Sequence, residues 1–282
     1  LMKTIKFHQG KTKTIRGFPS QVVQVHFSDN VTAGDGASLI RVPGKGALSS
    51  AIAGNCFRLL HKSGISTTFI EASGRDSFMA LYAYPAPVDV VCRGIATGSY
   101  LKRNPDAKEG EVFGSPITEM FLKDDARHDP FIQTADSMEG LYTLHKPALP
   151  LTATGSGLGF LDFKDERWDL WGHAPSCEEI SDFFLEVNVL VLNTYRILAK
   201  SWAKLGYTLV DLKIEVGICP LTGRTVVIDA ITPDEWRLWK GGNKAEAFDK
   251  DPFRKSQEKD GEAIKQLLFE RYKTIAKLTE QF

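Results

Sequence analysis

The chain has 282 residues, 43% of them hydrophobic and 25% charged, a balance that fits a globular protein of one large domain or two closely packed lobes. Its 35 basic and 35 acidic residues cancel, so no long-range field is expected to draw it to nucleic acid or to an anionic membrane. Cys56, Cys92, Cys177 and Cys219 lack metal-ligand spacing and no stretch reads as a membrane span or secretion signal, so reduced thiols and a cytoplasmic location are expected.

The opening stretch from Thr4 to Arg16 predicts two short strands joined at Gly10. Gly10-Lys11-Thr12 is not a P-loop, because the required glycine five residues earlier is Ile5. By itself, Gly10-Lys11-Thr12-Lys13 reads as a solvated basic turn. A strand over Gln21–Phe27 leads into a loop at Ser28–Gly36, where Gly34 and Gly36 are expected at positive φ. Apolar residues at helical spacing predict a helix from Ala47 to about Lys62, ended by Ser63-Gly64. Strands follow at Thr67–Glu71 and Phe78–Tyr82. Tyr84-Pro85-Ala86-Pro87 breaks the pattern, which sets the expected boundary: a β-rich lobe over residues 1–87 and a second lobe over 88–282.

Val88–Arg93 reads as a buried strand. Farther on, Asp125, His128 and Asp129 offer metal-ligand residue types, but hydrogen bonding to the loop backbone before Pro130 is the favoured role. A long segment near 131–175 reads as an insertion packed through Trp168 and Trp171; its Gly155-Ser-Gly-Leu-Gly159 is not a dinucleotide fingerprint. Ser176-Cys-Glu-Glu179 has capping-box form and opens a long amphipathic helix that Gly206 ends.

In Leu209–Gly217, Val210, Leu212, Ile214 and Val216 alternate with Asp211, Lys213 and Glu215, so a strand would carry its three charges on one face. Pro220 and Gly223 mark a turn, and Thr225–Asp229 returns as a second strand. With the turn centred near Thr222, Glu215 falls opposite or nearly opposite Asp229. Carboxylates so placed, roughly 4.5–5.5 Å apart at Cβ, repel unless a cation lies between them. A Mg²⁺ that also holds nucleotide phosphates suits that pair. A solvated hairpin with scattered charge is the equally open alternative. A last helix is predicted from Gly261 to about Leu278.

Several of these stretches resemble, in order, the signature blocks of one family. Leu209–Gly217 followed by Val226-Val-Ile-Asp-Ala-Ile-Thr-Pro-Asp-Glu-Trp-Arg-Leu-Trp239 is similar to the paired signatures of the SAICAR synthetases. These ligases join aspartate to a carboxylated aminoimidazole ribotide using ATP. Gly10–Lys13, Asp29–Asp35, Arg93-x-x-Ala96-x-Gly98-Ser99, Phe121-x-Lys123-x-Asp125-x-x-His128-Asp129-Pro130 and Asp249-Lys250-Asp251-x-Phe253-Arg254 match further blocks. Ala230, the Glu235-Trp236 pair and the longer 131–175 segment depart from the usual pattern; the first two look like animal-type members.

The resemblance implies an α+β, two-lobe fold, a β-rich N-terminal lobe plus an ATP-grasp-like lobe. It implies ATP, carboxyaminoimidazole ribotide (CAIR) and L-aspartate as partners, with Mg²⁺ as cofactor. Lys11, Lys13, Lys123, Glu215 and Asp229 would bind ATP, the last two through the metal. Arg93, Ser99 and Arg237 would hold the ribotide phosphate, since guanidinium makes two-pronged bonds to phosphate. Lys250 and Arg254 are candidates for a carboxylate of aspartate or of the imidazole. Lys213 would stabilise developing charge, and Asp211 would position Lys213 or the substrate's amino group. No nucleic acid or membrane partner is implied, and a homo-oligomer is left open. A small-molecule kinase on a related scaffold and a catalytically idle assembly protein are the alternatives.

Overall fold

A computed structural model of the chain describes residues 8–18, 21–33, 38–124, 129, 131–134, 142–145, 170, 177–255 and 261–282. The chain divides into two compact units: Leu1–Tyr82, Arg196–Leu212 and Asp229–Phe282 form the first, and Ala83–Tyr195 with Lys213–Ile228 the second. The first change of unit falls just ahead of 87/88, and the chain then returns twice to its first unit. Helices and antiparallel strands mix throughout, as an α+β fold requires. No described helix is long and apolar enough to cross a membrane.

The first unit begins with β1 (His8–Gln9), β2 (Lys13–Gly17), β3 (Val22–Phe27), β4 (Asn30–Ala33), β5 (Ser38–Arg41), α1 (Lys45–Lys62), β6 (Phe69–Ala72) and β7 (Ser77–Leu81). One sheet runs β1-β2-β3-β7-β6, and β4 pairs with β5. On β3, Val23, Val25 and Phe27 are buried at every second position, the period of a strand with one covered face. Ile52, Cys56, Phe57 and Leu60 of α1 are buried in turn, and the Phe57 ring stacks on Phe69 at 5.5 Å.

Helix α1 starts two residues before the expected Ala47. Asp29 Oδ1 accepts from Gly44 N (3.1 Å) and Gly46 N (3.0 Å), so a carboxylate from a distant loop satisfies amides that have no partner within the helix. A Cβ on Gly46 would sit 2.6 Å from the Phe27 carbonyl oxygen, and glycine alone lets the helix begin there. The expected glycines Gly34 and Gly36 lie outside the described residues.

The second unit holds β8 (Tyr84–Ile95), α2 (Ser99–Arg103), β9 (Val112–Leu122), β10 (Phe131–Thr134), β11 (Tyr142–His145), most of α3 (Cys177–Lys204), the later part of β12 (Tyr207–Cys219) and β13 (Arg224–Ile228), in the order β11-β10-β9-β8-β12-β13. The expected break at Tyr84–Pro87 is instead the start of β8. Pro85 and Pro87 are two apart, so their missing amides fall on one edge, and the registered pairing with β9 starts only at Val88 opposite Leu122. Asp125, His128, Ser176, Trp168, Trp171 and the 155–159 glycines lie outside the described residues.

Strand β12 is a covered strand, not a solvated one. Residues on both its faces are buried, Asp211 among them, with Lys213 and Glu215 partly so, and the ladder shifts register between Leu209 and Asp211. The hairpin turns close to the expected centre near Thr222, which leaves Asp229 nearly opposite Glu215. Cys219 pairs with Arg224 across the loop Pro220–Gly223, so Ile228 rather than Asp229 stands opposite Glu215. A four-residue loop with Gly223 at φ 66° sets that register. Asp229 comes one residue later at φ 64°, where the chain leaves the strand.

The chain closes the first unit with β14 (Trp236–Lys240), α4 (Asp251–Lys255) and α5 (Glu262–Thr279). Strand β14 pairs with the early part of β12, placing Asp211 opposite Arg237. Val31, Ala33, Ile40 and Val42 of the β4–β5 hairpin pack with Phe253 and Leu268 in one apolar cluster. Trp202 meets Tyr207, Trp236 and Phe282 edge-on, with ring centroids 4.9–5.8 Å apart.

Candidate active site

The first unit contains Lys11, Lys13, Asp211, Asp229, Arg237, Lys250 and Arg254; the second contains Arg93, Ser99, Lys123, Lys213 and Glu215. In the first, a bond from Gly10 N to Lys13 O (2.8 Å) closes the basic turn at the start of β2. Lys11 is exposed on it. Lys13 Nζ lies 2.5 Å from Asp229 Oδ2 and 3.5 Å from Glu235 Oε1. The other Glu235 oxygen accepts from Thr232 N (3.0 Å) and Thr232 Oγ1 (2.6 Å), which fixes the carboxylate beside the lysine. Burial pushes the Glu235 carboxyl up; Lys13 opposes it, and Asp234 and Asp229 reinforce it.

Asp234 gathers two more ammonium groups. Lys45, only 1% exposed, reaches Asp234 Oδ2 at 2.6 Å and Asn30 O at 3.1 Å, with its ammonium 5.3 Å from the centre of the Tyr272 ring. Lys250 Nζ stands 3.5 Å from Asp234 Oδ1. Burial alone would raise the Asp234 carboxyl, but Lys45 and Lys250 hold it well below the usual carboxylate range. Burial also pulls the Lys250 ammonium down, against Asp234.

Sequence reasoning gives Asp211 to the substrate's amino group or to Lys213. Its Oδ2 lies 2.5 Å from Arg237 Nη1. Arg237 Nε is 3.6 Å from Asp251 Oδ2, and Arg254 Nη1 donates to the other Asp251 oxygen. Burial disfavours the Arg237 charge, and Asp211 and Asp251 outweigh it. Asp249, 1% exposed, ties this row together: it accepts from Leu238 N (3.3 Å) on β14 and from Asp251 N (2.7 Å) on α4. Burial and Asp251 push its carboxyl up to about 6.

In the second unit, Asp89, Lys123, Lys213 and Glu215 form an alternating quartet. Lys213 Nζ lies 3.0 Å from Asp89 Oδ2 and 3.5 Å from Glu215 Oε1; Lys123 Nζ lies 3.5 Å from Asp89 Oδ1 and pairs closely with Glu215 Oε2. Nearby in sequence, Arg93 Nε donates to Glu119 Oε2 and Arg93 Nη2 to Ser99 Oγ (3.1 Å). Gly98 precedes α2 at φ 60°, ψ −131°, a conformation that only glycine adopts readily. Asp129 Oδ1 accepts from Asp124 N (2.8 Å), the loop-bonding role expected of it.

Both units thus hold cationic side chains in fixed geometry by carboxylates, the preorganisation that anionic ligands and transferring phosphoryl groups require. Sequence reasoning missed Lys45, Asp89, Arg103, Glu119 and Asp234. Lys45 had a signal, a lysine between two glycines at a helix start; Asp89 had another, a lone acid in an apolar strand. No group of three or more His, Cys, Asp or Glu able to hold a metal forms among the described residues.

The model of the SAICAR synthetase family matches residues 6–148 and 176–269. A phosphoribosylaminoimidazole-succinocarboxamide synthase of Roseiflexus sp. (strain RS-1) is 34% identical over 278 residues, 98% of this chain and 96% of that protein. The bifunctional phosphoribosylaminoimidazole carboxylase/phosphoribosylaminoimidazole succinocarboxamide synthetase of Rattus norvegicus is also 34% identical over 278 residues, and this chain spans 58% of its length. Among solved structures, a SAICAR synthetase (Type-2) in complex with ADP superposes with a TM-score of 0.74 at 28% identity, covering 97% of each chain.

Proposed function

The chain belongs to the SAICAR synthetase family, and from that premise we propose that it uses ATP to join L-aspartate to CAIR, giving SAICAR, ADP and phosphate in purine biosynthesis. The observation that carries this reading is the family match, which includes every block holding a candidate ligand. The charge pattern agrees with it: lysines and arginines are already aligned by carboxylates, as a substrate set of phosphates and carboxylates needs.

A CAIR carboxylate oxygen attacks the γ-phosphorus, the bond to the β-phosphate oxygen breaks and ADP leaves. The aspartate amine then attacks the carbonyl carbon of the acyl phosphate. Phosphate departs with the former carboxylate oxygen, and the nitrogen loses a proton as the amide forms. In this scheme Lys11, Lys13 and Lys123 take ATP phosphate oxygens. Lys213 offsets charge on the transferring group while Asp89 keeps it oriented. Arg93, Ser99 and Arg237 take the ribotide phosphate, with Asp211 aligning Arg237. Lys250 and Arg254 are assigned to carboxylate binding.

Glu215 and Asp229 are the proposed Mg²⁺ ligands. They offer hard oxygen donors, the kind of ligand that Mg²⁺ takes beside phosphate oxygens and water. When bound, the metal neutralises the nucleotide phosphates. Asp229→Asn should weaken Mg²⁺-dependent ADP binding and lower turnover about a hundredfold. Equal Mg²⁺ enhancement of ADP binding in both proteins would remove Asp229 from the metal.

The deciding assay follows ADP release with and without CAIR and aspartate. Release beyond one equivalent per enzyme that needs both is expected, since the first step alone forms one ADP from CAIR and ATP. Release with CAIR alone, leaving a phosphorylated product, would favour the kinase reading, and release indifferent to both would overturn the ligase.

A further inference from the structure

Glu119 lies on β9 with its side chain 5% exposed, and a carboxylate so buried needs partners. Each of its oxygens has one. Oε2 accepts from Arg93 Nε, and Oε1 accepts from Arg103 Nη2. The two guanidinium groups differ in access. Arg93 is 3% exposed, whereas the Arg103 side chain keeps 23% of its surface open. Aromatic faces also restrain Arg103, whose guanidinium carbon lies 5.1 Å from the centre of the Phe121 ring and 4.6 Å from that of Phe131. A planar cation held this way loses little freedom when it takes a ligand.

Ser99 and Arg103 are four residues apart on α2, the spacing that puts two side chains on one helical face. Ser99 Oγ also receives Arg93 Nη2 at 3.1 Å. Arg93, Ser99 and Arg103 are therefore joined into one cluster, fastened from below by Glu119. We propose that Arg103 is an additional binding residue for the phosphomonoester of the ribotide, and that Glu119 is the positioning residue that holds Arg93 and Arg103 toward it. Glu119 touches no ligand in this arrangement. It sets the plane of each guanidinium, so that the part-exposed Arg103 faces a dianion in a fixed orientation.

This inference rests on the reading that Arg93 and Ser99 take the ribotide phosphate, and the test separates the two. Dissociation constants are measured by calorimetry for CAIR and for its riboside, which lacks the phosphate. The riboside constant divided by the CAIR constant reports the phosphate contribution alone; a merely structural change weakens both ligands together and leaves the ratio unmoved. Arg93→Lys serves as the control for the parent reading. Arg103→Met and Glu119→Gln should each lower the ratio about tenfold or more, with ATP affinity within about twofold of wild type. Arg103→Lys, which keeps charge but not the planar fork, should fall between. If Arg93→Lys leaves the ratio unchanged, the phosphate site itself is misassigned. If Arg93→Lys lowers it while Arg103→Met does not, the inference fails and the parent reading stands; an unchanged ratio in folded Glu119→Gln likewise removes the positioning role. Should Glu119→Gln not fold, the two Arg103 variants decide.

Discussion

An ammonium buried as fully as that of Lys45 needs a carboxylate beside it, and Asp234 at 2.6 Å supplies one. Lys45→Met leaves Asp234 with Lys250 at 3.5 Å and should destabilise the protein by about 3–5 kcal/mol in urea titration. Adding Asp234→Asn should recover part of that loss; strictly additive losses would show that the pair is not coupled. Asp249 gives a pH test. Its folded pKa of about 6 lies above the ordinary 3.8, so the stability it contributes is fully present below pH 3.8 and is lost as pH rises through about 6. The stability of Asp249→Asn relative to wild type should therefore rise across that window by on the order of 3 kcal/mol. A flat difference would mean that Asp249 titrates normally. At this scale the matched motifs named Arg93, Ser99 and Arg237 as candidates. The partners that orient cations elsewhere were not legible: Asp234 is 189 residues from Lys45, and no local pattern records a contact that distant.

Among elements, β8 and α3 meet at a point where no side chain fits. A Cβ on Gly94 would run into Tyr195 Oη, next in sequence to the buried Arg93. Gly94→Ala should cost about 1–3 kcal/mol. Because the obstacle is the hydroxyl, Tyr195→Phe should restore part of that stability in the double variant. No restoration would place the strain in the backbone. The long helices α1, α3 and α5 were readable to within a few residues, since amphipathic spacing and the ends at Gly64 (φ 79°) and Gly206 (φ 80°) are local signals; the short α2 and α4 were not expected. The strands were read less completely: β4 lies within the expected loop at Ser28–Gly36, and β5, β9, β10, β11 and β14 had no expected counterpart. Prolines hid the first residues of β8, whereas the β12–β13 hairpin turns close to its expected centre.

For the molecule as a whole, the consequential feature is that the first unit is assembled from three separate stretches. Its β4–β5 hairpin shares an apolar cluster with Leu268 of α5, and Asn55 on α1 donates to Thr279 Oγ1 at 3.0 Å. Deleting residues 261–282 should uncover Val31, Ile40 and Val42 and give a protein that binds an apolar dye and loses amide protection across α1. Retained protection there would show that the N-terminal sheet is stable without α5. Hydropathy and motifs revealed α1, α5 and the strands β3, β6 and β7 of this unit but not its discontinuity, because nothing in residues 1–82 marks which distant segment completes them.

That discontinuity has a consequence in time. On a ribosome adding roughly 5–20 residues per second, about 10–40 s separate the emergence of β7 from that of Leu268 and Ile275 on α5. Throughout that interval the β4–β5 hairpin and the side of α1 destined for α5 have no permanent cover. Nascent chains should accordingly be most open to chaperone capture and proteolysis at Val31, Ile40 and Val42, and slower translation before α5 should lower the yield of soluble protein.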